Sequence, residues 1–281
     1  MIEALQFEFM QNALIAGLFA SLICGVIGTF VVVNRLVFLA GGIAHAAYGG
    51  IGLALFLGIP YIIGTLGFSL GAALVMTAVT LTATHRTDTF IGVLWAVGMA
   101  VGVILTDLTP GYNVDLMSYL FGSILAVPPA DILWMTILGA AVLILSLYYY
   151  RDLVAISYDV EFAQLRGVPV RGLYFLFMAL VAVSIVFIIR VVGLILVIAL
   201  LSIPPHIAEK YAGSLGAMMV IAVLLSVIFN IAGLWLAYIF DLTSGPCIIL
   251  AAAAGFFISI AADLIILKSR RHSAGKAAAA K

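Results

Sequence analysis

The sequence predicts an all-α membrane protein, a polytopic bundle of about nine transmembrane helices. Of its 281 residues, 66% are hydrophobic and only 9% are charged, and the mean hydropathy is +1.33. A soluble domain is about half apolar and about a quarter charged, so this composition excludes a soluble fold. The apolar residues also fall into separate runs of about 20, which is the length that crosses a hydrocarbon core.

Nine such runs divide the chain, and no segment between them is long and polar enough to form a second domain. Merging two runs would give eight spans, which is the alternative. We therefore predict one transmembrane domain, 1–267, followed by a polar, low-complexity tail, 268–281, that is typical of a cloning remnant. The predicted spans are 11–33, 36–58, 61–83, 90–108, 132–150, 173–189, 192–208, 214–240 and 246–267.

A tenth apolar patch lies at 114–129, between the fourth and fifth predicted spans. It is too short to cross a bilayer, it carries Asp115 and Ser118, and it closes with two prolines. Polar groups and irregular backbone at membrane depth are tolerated only where they face protein or water. We therefore predict a surface or re-entrant helix at this position.

The basic residues predict the orientation, because cytoplasmic loops carry an excess of lysine and arginine. With the N-terminus outside and the C-terminus in the cytoplasm, only Arg190 among the 12 basic residues falls outside. The predicted outer face is acidic, and Asp107, Asp115 and Asp241 would favour cations at the mouth of a pathway. Ordinary solvated loop charge is the alternative for these aspartates.

The longest predicted cytoplasmic loop contains a short helix whose two ends are marked in the sequence. Asp159 is a good N-cap, Glu161 suits the positive end of the helix dipole, and Gly167 supplies the stop. Phe162 and Leu165 are three residues apart and share one face, which is exposed unless another surface covers it. This pattern predicts a docking helix for a soluble partner; a helix folded onto the membrane surface is the alternative.

The second predicted span places His45 within a run of glycine and alanine. An ionisable side chain inside a membrane span is costly and by default indicates a functional site. A neutral histidine that hydrogen bonds to a neighbouring helix is the alternative. The surrounding small residues predict close helix packing, in two rows along the helix: Gly42, Ala46 and Gly50 in one, and Gly41, His45 and Gly49 in the other.

A second intramembrane histidine, His206, directly follows Pro204 and Pro205 near the end of the seventh predicted span. Proline removes a backbone donor and clashes with the preceding turn, so the pair predicts a break in the helix. The freed carbonyl groups are tolerated at that depth only where they face protein or a cavity. Two such histidines in one small membrane protein predict a shared polar cavity.

Several motifs are missing from the sequence. It contains no G-x-x-x-x-G-K-[ST] nucleotide-binding loop, no H-E-x-x-H and no G-x-S-x-G. The spans also lack the rows of charges expected of a proton pump or a voltage sensor. A transporter built on this chain would therefore take its energy from another chain, which we expect to act on the short cytoplasmic helix.

Several stretches of the sequence carry a family resemblance. They read AGGIAHAAYGGIGLALFLG at 40–58, VDLMSYLFGSILAV at 114–127, YDVEFAQLRGV at 158–168, GLILVIALLSIPPHIAEKYAGSLGAMM at 193–219 and GLWLAYIFDLTSGPCIIL at 233–250. Together they resemble the membrane permease subunit of ATP-binding-cassette importers for zinc, manganese and iron. The resemblance extends over nearly all of the chain up to Leu267.

The resemblance implies a homodimeric permease in the cytoplasmic membrane of a prokaryote, which is a transporter subunit and not an enzyme. Its partners would be the lipid bilayer, a cytoplasmic ATPase dimer and an extracytoplasmic metal-binding protein, with no nucleic acid. The segment 159–167 would be the coupling helix seated in the ATPase. Its implied contact residues are Asp159, Glu161, Phe162, Leu165, Arg166 and Gly167.

The sequence departs from the family's pattern at both histidines. Members often have an aspartate four residues before the histidine of the second span, and this chain has Gly41 there. Where members often read P-A-A-T-A, this chain reads P-P-H-I-A at 204–208. We therefore predict that His45 and His206 are the transient metal contacts. Two imidazoles with water favour zinc or another late first-row ion over manganese, and the ion is transported substrate rather than a bound cofactor.

Three alternatives stay open. The first is that Gly41 marks a permease whose substrate is not a bare metal ion, or that the two histidines fail to meet. A permease for a metal chelate or a cobalamin-like cofactor would also have a coupling helix, although such permeases are usually longer and have more spans. The third alternative is a membrane-embedded enzyme or scaffold that uses the two histidines, although the sequence supplies no nucleophile–base pair.

Overall fold

A computed structural model of the protein describes residues 6–82, 87–110, 122 and 124–279. This part of the chain is all-α, as predicted, with one 3-10 turn at Ile124–Ala126. The helices are α1 (Glu8–Val33), α2 (Val37–Leu57), α3 (Tyr61–Thr82), α4 (Thr87–Asp107), α5 (Pro129–Tyr148), α6 (Tyr150–Tyr158), α7 (Val160–Leu165), α8 (Val170–Val192), α9 (Leu194–Tyr211), α10 (Leu215–Phe240) and α11 (Ser244–Ala279).

Nine helices of the described chain, all except α6 and α7, are long and apolar enough to cross a membrane. The prediction of nine spans is therefore confirmed, and the alternative of eight is excluded. The bounds of the first eight spans differ from the predicted bounds by three residues or fewer. Hydropathy locates these helices well because each one must satisfy its own backbone hydrogen bonds in lipid.

The spans pack in two groups, which are joined by two helices that contact both of them. One group is α1 with α5, α9 and α10, and the other is α2 with α3 and α4. Helices α8 and α9 contact members of both groups, while α11 packs on α9 and α10. Among the spans in the described residues, α2 has the largest buried share, so the histidine-bearing helix lies at the centre of its group.

The predicted break at Pro204 and Pro205 is wrong, because α9 continues through both prolines to Tyr211. A proline at position 205 cannot donate to the carbonyl of Leu201, so that oxygen loses its helical partner. The Leu201 oxygen lies against Gly28 of α1, where an added Cβ atom would be only 2.5 Å away. Close packing on α1 therefore accommodates the irregular turn without ending the helix.

Two further predicted segments are the polar C-terminal tail and the apolar patch at 114–129. The predicted polar tail continues α11 as one helix of 36 residues that ends at Ala279, and its alanine-rich sequence has high helix propensity. Most of the patch at 114–129, including Asp115, lies outside the described residues. The described end of that patch contains Ile124, which is buried in the core cluster that α1 also joins.

Candidate ion pathway and docking surface

The small residues of α2 bring α3 and α4 into close contact with it. A Cβ atom added at Gly42 would lie 2.6 Å from Ile91 of α4, and one at Gly50 would lie 2.6 Å from the backbone of Thr65 in α3. Gly49 is equally crowded, 2.6 Å from the ring of Phe68. Only glycine permits these approaches, which is the usual role of small residues between membrane helices.

Ala46 and Gly41 show how sharply this packing changes along the helix. Ala46 lies against Gly98 of α4, whose added Cβ would come within 2.9 Å of the Ala46 Cα. Gly41 belongs to the predicted packing row, yet a Cβ there would meet no described heavy atom within 4 Å. The space four residues before His45 is therefore open, because the neighbours that crowd Gly42 do not extend to this side of the helix.

His45 lies between α2 and α4 and is half-buried. Its imidazole stacks on Trp95 of α4, with ring centroids 4.0 Å apart and planes inclined by 17°. Within the described chain, its Nδ1 atom is buried and has no hydrogen-bond partner, whereas Nε2 is not sealed in this way. The expected alternative, a hydrogen bond from His45 to a neighbouring helix, is therefore not seen among these residues.

His206 has a more open and more polar environment. It is exposed near the end of α9, and its Nδ1 atom lies 3.6 Å from a carboxylate oxygen of Glu209 on the next turn. Its ring also lies 5.7 Å from the ring of Phe256 on α11. One turn further on, Lys210 donates to Asp263 of α11 at 2.8 Å, which places an ion pair at the same end of the helix.

The topology places each histidine in the half of its own span nearer the α7 side, although their ring contacts are with different helices. The second span begins, and the seventh ends, on the side of the bundle that carries α7. With a rise of 1.5 Å per residue, His45 lies about 12 Å from the start of α2 and His206 about 8 Å from the end of α9. The described residues contain no group of three or more metal-ligating side chains, so any ion site here is sparse.

Helix α7 presents an apolar face outward on a firmly held backbone. The side chain of Asp159 accepts hydrogen bonds from the N–H groups of Glu161 and Phe162, both at 3.0 Å, and Gly167 follows the helix with φ of +79°. Ala163 is fully buried, whereas Phe162 is 52% and Leu165 87% exposed. One face therefore anchors the helix, and the other is available for contact.

A groove of about 600 Å³ runs beside this helix. It lies between α6, α7 and the loop that joins α9 to α10, and its lining includes Phe162, Arg166 and Ser214. The Arg166 guanidinium lies 5.7 Å from the centre of the Phe162 ring. The groove thus combines an aromatic edge with a cation, as protein-binding surfaces often do.

The opposite side of the bundle carries two of the three acidic residues predicted at an outer mouth. Asp107 at the end of α4 and Asp241 at the end of α10 are both exposed, while Asp115 lies outside the described residues. Arg190, the one basic residue predicted on this side, pairs with Asp131 at 3.1 Å. This pair offsets the positive charge of Arg190. The exposed charges of Asp107 and Asp241 at the same face are negative.

Nine candidate spans in the described chain, two of them carrying a histidine, and a capped, exposed helix on one side fit the class of a membrane transport subunit. The chain belongs to the ABC 3 transport family, whose family model matches residues 6–263. The resemblance to ABC importer permeases is therefore confirmed, as is the expectation of a multi-pass bacterial transporter subunit that is not itself an enzyme.

Named relatives and a solved structure agree with this family. The chain is 48% identical to an uncharacterized membrane protein of Synechocystis over 93% of both chains. It is 36% identical to the manganese import system permease protein ScaB of Streptococcus parasanguinis over 90% of both. Its fold is similar to PsaBC from Streptococcus pneumoniae, solved in complex with Fab, with a TM-score of 0.82 and 33% identity over 92% of this chain and 93% of that one.

Proposed function

We propose that this permease moves a divalent metal ion inward across the cytoplasmic membrane, and that zinc is the ion its residues fit best. Named relatives of the chain include manganese and other metal transport systems, which supports a first-row divalent cation. The single observation that favours zinc is the placement of two imidazoles, with no carboxylate at Gly41, in the halves of α2 and α9 nearer the α7 side. Imidazole suits zinc, whereas manganese prefers oxygen donors.

The open space beside Gly41 supports a weakly held and partly hydrated ion. A carboxylate at that position would supply a charged oxygen ligand one helical turn from His45. With glycine there, the ion would keep water in that direction and would bind the protein through fewer ligands. A transport site has to release its ion, so sparse ligation is compatible with this role.

The proposed assembly has two copies of the permease, an ATPase dimer on the α7 side and a binding protein on the opposite side. Arg151, Arg166, Arg171 and Lys210 all lie on the α7 side, which supports its assignment as cytoplasmic. The N-terminus then lies outside. The acidic Asp107 and Asp241 face the side from which the cation would arrive, where negative charge raises its local concentration.

The packing of α7 suggests how an ATPase would act on the spans. Buried Ala163 packs in a small cluster with Ile156 of α6 and with Val170 and Leu173 at the start of α8. A partner that holds Phe162 and Leu165 would therefore push directly on the first turn of a membrane span. Helix α8 contacts both groups of spans, so its displacement would alter how the groups meet.

The metal proposal is tested by zinc uptake into vesicles that contain the permease with its ATPase subunit. We expect His45→Ala and His206→Ala each to reduce the apparent affinity for zinc by about tenfold or more, since changes around a metal site typically cost about 10- to 100-fold. His272→Ala, in the tail, is the matched control and should leave uptake unchanged. Unchanged uptake in both test variants would refute the histidine site.

The docking proposal is tested by co-purification with the ATPase subunit. Phe162→Asp and Leu165→Asp each place a charge on the exposed apolar face and should abolish the complex. Gln164→Asp introduces the same charge at an exposed polar position of the same helix and should weaken the complex much less. Equal binding by all three variants would show that the ATPase does not seat on this face.

Manganese is the second candidate ion, because the named relatives include manganese import permeases. Competition separates the two ions: we expect excess zinc to suppress manganese uptake far more than manganese suppresses zinc uptake. The reverse order would assign manganese. A metal chelate that competes better than either free ion would favour the chelate permease instead.

A further inference from the structure

The stack of His45 on Trp95 is the closest ring contact that the structure gives to either proposed metal ligand. The two rings come from different spans, α2 and α4, and are nearly parallel at 4.0 Å. The indole is itself held in place: its Nε1 donates to the sulfur of Met99 at 3.2 Å. The ring of Phe38 lies 6.2 Å away on a tilted plane. Trp95 therefore has contacts of its own on both α4 and α2, in addition to the stack on His45.

A metal-binding histidine is normally oriented through its second nitrogen. That nitrogen almost always donates to a carboxylate, a backbone carbonyl or water, which fixes both the tautomer and the plane of the ring. For His45, no described residue provides such a partner, although Nδ1 is buried. The contact that sets the plane of this imidazole is instead the face of Trp95.

We propose that Trp95 is a positioning residue for metal binding by His45, an inference that rests on the proposed role of His45. The indole fixes the imidazole plane and leaves Nε2, the nitrogen that is not sealed, available to the ion. The stacking contact with Trp95 takes the place of the hydrogen bond that Nδ1 of His45 lacks among the described residues. The electron-rich indole face also favours the electron-poor ring that results when an imidazole nitrogen donates its lone pair to a cation.

A purely structural role makes a different prediction. Stacked aromatic rings stabilise contacts between helices whatever their function, so a structural Trp95 would affect the yield, the stability or the maximal transport rate of the protein. A positioning Trp95 would change the apparent KM for the ion and leave the maximal rate intact. In that case, replacing the indole by a smaller aromatic ring would largely preserve the KM for the ion. An aliphatic side chain similar in size to that smaller ring would not preserve it.

The first experiment compares Trp95→Leu with Trp95→Phe in the full permease–ATPase complex in vesicles. We expect Trp95→Leu to raise the KM for zinc about tenfold, the lower end of the range for groups that orient metal ligands, with an unchanged maximal rate. Trp95→Phe should stay within about threefold of the original KM. Trp134→Leu, which removes an exposed tryptophan stacked on Phe187, is the control and should change neither quantity.

A spectroscopic readout makes the test independent of transport. The chain has three tryptophans, so Trp134→Phe with Trp235→Phe leaves Trp95 as the only indole. Paramagnetic Co²⁺ bound to His45 should quench its emission in a saturable way, and His45→Ala should remove that quenching. An unchanged KM in Trp95→Leu, or a loss of maximal rate alone, would overturn the positioning role while leaving His45 as a ligand. If His45→Ala changes neither uptake nor quenching, the proposed function itself fails.

Discussion

His45 on α2 and His206 on α9 both lie in the half of their span nearer the α7 side, yet their neighbours differ in kind. His45 is enclosed between two spans, stacks on an indole and has an unpaired buried nitrogen among the described residues. His206 is exposed and has the carboxylate of Glu209 at 3.6 Å. The environment of His45 is therefore set by close packing between two spans. The environment of His206 is set by a polar neighbour whose interaction is screened by solvent.

This difference predicts where substitutions will be costly. Around His45, we expect a substitution to be tolerated only where α3 and α4 leave space for the added side chain. Around His206, the sensitive position is the contact between α1 and the proline turn, and the charges themselves should matter little. The four predictions below test this contrast, from the largest expected effect to the smallest.

Gly50→Ala should destabilise the protein by about 3 kcal/mol, the upper part of the usual range for overpacking. Its added Cβ would lie 2.6 Å from both the Gly64 oxygen and the Thr65 Cα, and these backbone atoms cannot rotate away. The measurement is unfolding in detergent. Gly41→Ala is the matched control in the same helix, where the open space predicts a change of less than about 1 kcal/mol. Equal losses in the two variants would contradict the packing described for α2.

Gly28→Ala should destabilise by about 2 kcal/mol, because its Cβ would lie 2.5 Å from the Leu201 oxygen and 2.9 Å from a ring carbon of Pro205. Only one backbone atom lies this close to the added Cβ, compared with two at Gly50, so we expect a smaller loss than at Gly50. Gly67→Ala in α3, where no described atom lies within 4 Å, is the control. A neutral Gly28→Ala would mean that α1 does not support the proline turn.

Hydropathy predicts the spans because each one is long and apolar, and the caps of α7 are predicted because Asp159 and Gly167 act locally. The partner of His45 is not predictable in this way. Trp95 is 50 residues further along the chain, and no local pattern indicates that α4 lies against α2. The continuation of α9 through Pro204 is not predictable either, because it depends on Gly28, a glycine of the first span with no distinguishing sequence signal.

Gly41→Asp should change ion preference more than stability. The open space accepts the larger side chain, and the new carboxylate would lie one turn from His45, where its oxygen donors favour manganese. We expect the ratio of manganese to zinc uptake to rise by about tenfold, comparable to the smaller changes seen around metal ligands. Gly41→Asn adds a similar volume without the charge and should shift the ratio less. An unchanged ratio in Gly41→Asp would indicate that the ion does not pass beside His45.

Glu209→Gln should have the smallest effect of the four. An exposed pair on neighbouring turns of a helix contributes only about 0.2–0.5 kcal/mol, so the KM for zinc should change by about twofold or less. The result is informative because His206 is the proposed ligand: its imidazole must stay free to bind the ion, and a strong bond to Glu209 would compete with that role. Lys210→Gln, which removes the neighbouring pair with Asp263, is the control for loss of charge at this end of α9. A tenfold change in Glu209→Gln alone would mean that the carboxylate itself contacts the ion, and the second half of the site would then be a histidine–glutamate pair and not a lone imidazole.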